Sequence, residues 1–94
     1  MEDETFFERA DSHIHLSNQQ ISEAVSRGKV SASMMYSTAR FNAWLSACAH
    51  QNATEMAENK QDTVEYFVAE YRKMLEENLN DYIKNFEPYM SPPK

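Results

Sequence analysis

Between Val30 and Ala53 the chain holds one formally charged residue, Arg40, although charged residues make up 26% of the whole. A helix in water with so few charges has to be covered by protein over most of its circumference. The stretch therefore marks the middle of the chain as the core of whatever forms. It constrains architecture and names no reaction.

Helix breakers are nearly absent. The 94 residues include a single glycine, Gly28, and three prolines, all at or beyond Pro88. A strand-rich domain needs a turn signal every ten residues or so, and no such series exists. The expected fold is all-α. Hydrophobic residues make up 41%, enough for a core rather than a disordered chain. The expected organisation is a single helical domain over residues 1–90 with a disordered tail over 91–94. A domain this small buries little surface on folding, which leaves association with a partner open.

Fifteen acids against nine bases give a net charge of −6. With no basic cluster, the sequence argues against a nucleic-acid or anionic-membrane surface. Cys48 is the sole cysteine, so no intramolecular disulfide can form. No run of 18 apolar residues exists to cross a bilayer. The start, Met1-Glu-Asp-Glu-Thr, lacks the order of a signal peptide. The compartment expected from these features is the cytoplasm.

The spacing of apolar residues predicts a first helix over about 4–27, with Phe7, Ile14 and Ile21 on its inner stripe. A Glu23–Arg27 pair supports its last turn. Gly28 then fits the left-handed position that ends a helix. Ser31 is the expected N-cap of a second helix over about 32–49. One face of that helix carries Met34, Phe41, Leu45 and Cys48. The other carries Ala32, Tyr36, Ala39, Ala43 and Ala47. Asn52 and Glu55 make a capping-box pattern that opens a short extra helix near 53–59, with a break near residue 60. A last helix over about 63–86 carries Phe67, Tyr71 and Leu75 on its stripe, and its solvent side is laced with charge pairs. Pro88 is expected to stop it. Short connections make neighbours antiparallel, so the predicted architecture is an antiparallel three-helix bundle.

No catalytic, cofactor or metal site can be written. His13 and His15 point to opposite sides of a helix, and His50 lies past the end of another. The Glu-x-x-His motif of di-iron bundles is absent. One glycine excludes a phosphate-binding loop or dinucleotide fingerprint. Cys48 falls on the bulky face and reads as a buried, inert thiol. Arg40 alone calls for a specific account: on the least charged helix it must reach water or pair with a carboxylate. Counting from the connections places it near Asn18 and Gln19 of the first helix and Glu70 of the last. An ion pair to Glu70 is the expected structural role. The alternative is a partner or ligand surface made of Tyr36, Arg40, Asn42 and Trp44, since arginine with aromatics is a hot-spot composition.

Several blocks carry a family resemblance: Phe6-Phe-Glu-Arg-Ala-Asp11, Asn18-Gln-Gln20, Gly28-Lys-Val-Ser-Ala-Ser33, Ala39-Arg-Phe-Asn-Ala-Trp44, Glu65-Tyr-Phe-Val, and Tyr71-Arg-Lys-Met-Leu-Glu-Glu-Asn-Leu-Asn-Asp-Tyr82. Together they resemble a proteobacterial family catalogued as domain of unknown function 3144, over about residues 6 to 87. The resemblance implies a bacterial protein of this length and brings no catalytic residues. The functional expectation is a small cytoplasmic helical interaction protein without catalysis of its own. It self-associates, as a homodimer through Ala39, Ala43 and Ala47. The other reading is a binder of a small anionic or aromatic ligand at the seam around Arg40 and Trp44.

Overall fold

A computed structural model describes residues 3–91. Within them five helices run in order: α1 Phe6–Gln20, α2 Arg27–Cys48, α3 Ala53–Glu58, α4 Lys60–Lys84 and α5 Phe86–Met90. No strand occurs among the described residues, as the scarcity of turn signals predicts. The tail expected over 91–94 lies outside the described residues except for Ser91. The chain divides into two units, Met1–Leu45 and Ser46–Lys94. Their boundary falls inside α2 rather than in a loop.

Local chemistry places the breaks, and it corrects the first one. α1 ends at Gln20, not near Arg27. Ile21 is extended, with ψ 131°. Ser22 then closes a tight turn, its Oγ accepting the Val25 N–H at 3.1 Å while its own N–H donates to the Val25 carbonyl at 3.0 Å. Ser26 does for α2 what Ser31 was expected to do. Its Oγ accepts the Lys29 N–H at 3.3 Å, and its carbonyl takes the Val30 N–H at 3.1 Å. Two serines four apart thus offer the backbone hydrogen bonds that compete with helix. Gly28 consequently sits in the first turn of α2 with no positive φ, so it terminates nothing. The Glu23–Arg27 pair also fails, because Glu23 lies in the loop.

Asn52 caps α3 as read, but the return bond from Glu55 goes one residue upstream, to Gln51 rather than to the cap's own N–H. Asn52 Oδ1 accepts the Glu55 N–H at 2.8 Å, and Glu55 Oε2 reaches back to the Gln51 N–H at 3.1 Å. The break near residue 60 falls at Asn59, whose carbonyl accepts the Thr63 N–H at 3.0 Å as α4 starts. Pro88 does not stop the chain's helicity. A turn at Asn85 ends α4, and Pro88 lies in the first turn of α5, where a missing N–H costs little.

The stripes are right in period, yet each unit by itself leaves them uncovered. Val30, 4% exposed, is the sole buried residue among those described. The expected core residues Phe7 (76% exposed), Ile14, Ile21, Phe41 (61%), Leu45, Tyr71 and Leu75 (42%) are all exposed, and Phe67 is half-buried. Cys48, expected in the core, is exposed as well. Periodicity fixes which side chains share a face; it does not supply the surface that covers them.

Candidate functional site

α2 carries the candidate surface. It runs unbroken over Arg27–Cys48, so successive residues turn by about 100°. Tyr36, Arg40 and Trp44, four apart, form one line along it. Asn42 is rotated about 160° from Arg40 and is half-buried, whereas Tyr36, Arg40 and Trp44 are exposed. The expected four-residue surface therefore contracts to three. The Trp44 ring lies against Phe41, centroids 5.4 Å apart and planes at 48°, which ties this line to the bulky face.

The ion pairs among the described residues are Arg9–Asp3, Lys73–Glu70 at 3.1 Å and Arg72–Glu76 at 4.0 Å. Among the described residues of its own unit, no hydrogen-bonding or ionic partner of the Arg40 guanidinium is found. Gln19 lies against His15 Nε2 at 3.2 Å instead, and the Asn18 carbonyl takes the Ile21 N–H at 3.3 Å. In the other unit, the Glu70 carboxylate is engaged by Lys73 three residues on. Local i,i+3 pairing satisfies it without help from elsewhere.

Two clusters lie outside the residues singled out above. At the end of α2, His50 is half-buried. Its Nδ1 lies 2.6 Å from the Ser46 carbonyl, an acceptor, so Nδ1 carries the proton. Nε2 then accepts from Asn59 Nδ2 at 3.2 Å. This histidine braces the turn between α2 and α3. At the other end, the Tyr89 hydroxyl donates to both oxygens of Asp81, at 3.1 and 3.3 Å. Its ring packs edge-on against Tyr82 at 5.0 Å. That hydrogen bond stabilises the neutral phenol, and with the nearby negative charge it raises the Tyr89 pKa above the ordinary value. The signal for this cluster was present: Asn85 and a proline three residues later fit the start of a new helix.

Among the described residues, no three His, Cys, Asp or Glu side chains are grouped so as to hold a metal ion. None of their helices is long and apolar enough to cross a membrane. α2 thus presents Tyr36, Arg40 and Trp44 in one exposed line beside its bulky apolar face.

The fold is that of a small all-α protein. The chain belongs to the family described as Protein of unknown function (DUF3144), whose sequence profile matches residues 6–83. The chain is also similar to the protein NB7890A from a Shewanella species, known from its NMR structure. The two are 36% identical and align over 99% of this chain and 98% of the other, with a TM-score of 0.80. No curated protein matches the chain.

Proposed function

We propose that the chain is a small cytoplasmic bacterial interaction protein that self-associates and has no catalysis of its own. One observation carries the reading: the surface left bare. The accessible surface is 8861 Å². A compact body of half this mass exposes about 3,400 Å², so two separate ones expose about 6,800 Å². The surface present exceeds that by about 2,000 Å². Helices in proteins draw most of their stability from packing of their apolar faces rather than from intrinsic propensity. Helices with one buried side chain among them need an outside surface to persist. A second copy is present wherever the chain is, and the alanine row at Ala39, Ala43 and Ala47 offers a face on which a neighbouring backbone approaches closely.

The test is thermal unfolding followed by circular dichroism over a hundredfold range of protein concentration. Self-association predicts a midpoint that rises with concentration. A midpoint independent of concentration, with full helicity in the most dilute sample, would defeat the reading.

A second reading rests on Arg40, whose guanidinium has no partner among the described residues of its unit and lies in line with two exposed aromatic residues, Tyr36 and Trp44. That arrangement suits a small anionic or aromatic ligand. Trp44 is the sole tryptophan, so its fluorescence reports on the seam. Titration with phosphate and with an aromatic carboxylate separates the readings. Saturable quenching that Arg40→Met abolishes supports the ligand, and a flat response removes it.

A further inference from the structure

We draw no further inference here: the strongest candidate, the exposed patch of α2 where Phe41 and Leu45 adjoin the line of Tyr36, Arg40 and Trp44, carries nothing beyond the reading above, because nothing in the structure shows what covers it.

Discussion

Replacing Phe41 by alanine separates a covered stripe from a bare one. Phe41 is 61% exposed in the single chain, and a phenylalanine presents roughly 200 Å². About 120 Å² of it is thus available to a second copy, worth about 3 kcal/mol at 25 cal/mol per Å². Covering half of that area gives about 1.5 kcal/mol per copy and about 3 kcal/mol per dimer. The dissociation constant should then rise by about two orders of magnitude. A chain that works alone would lose little more than the Phe41–Trp44 ring contact, about 0.5–1.5 kcal/mol of intramolecular stability. Sedimentation equilibrium on the wild type and Phe41→Ala reads the dissociation constants directly. An unchanged constant, or a wild type with none to measure, would refute the reasoning. A pure loss of monomer stability would show that Phe41 packs within the chain.

Gly28→Ala should raise stability by about 0.5–1 kcal/mol in chemical denaturation, because Gly28 is helical and an added Cβ meets only Ser26 Oγ at 3.9 Å; a loss would restore the helix-ending role. Asn52→Ala should cost about 1 kcal/mol through the lost cap, seen as faster amide exchange at Glu55. The Arg9 guanidinium, hydrogen-bonded to Asp3, holds that carboxyl below its ordinary value of 3.8, so the contact supports α1 fully above that pH and is lost as pH falls through the lower folded value; an Asp3 that titrates by NMR at or above 3.8 would contradict it. The Tyr89 phenol, donating to Asp81, is raised above 10.0, so its contribution is complete below that pH and is lost as pH climbs through the higher folded value. Absorbance titration should show one late-ionising tyrosine that disappears in Tyr89→Phe.

Helicity, the cap at Asn52 and the break at Asn59 were legible in the sequence because each is decided locally. Asn52 and Glu55 need only each other, and the absence of glycine and proline leaves no other regular structure. The end of α1 was misread for a reason that is also local. Apolar residues at Ile21, Ala24 and Val25 continue the helical period, but the Ser22 and Ser26 side chains bind backbone N–H groups more directly than the stripe can compensate without a covering surface. Gly28 misled in the same way, since a glycine can end a helix and can equally sit inside one. At α2, spacing alone places Tyr36, Arg40 and Trp44 in line and Asn42 across the helix from them. Burial was not legible. Whether Phe41 is covered depends on a surface that the period of α2 does not encode. The Glu70–Lys73 and Arg72–Glu76 pairs on the solvent side of α4 were legible, again for a local reason, a spacing of three or four residues.

Isotope-filtered NOE spectroscopy on an equimolar mixture of labelled and unlabelled wild-type chains most directly tests whether a second copy covers the bare stripes. Only contacts between copies give signals in that experiment. The expected result is a set of cross-peaks between copies that involve side chains of the bare stripes, those of Phe41 and Leu45 among them. A helical, well-dispersed sample without any such cross-peak between chains would contradict it.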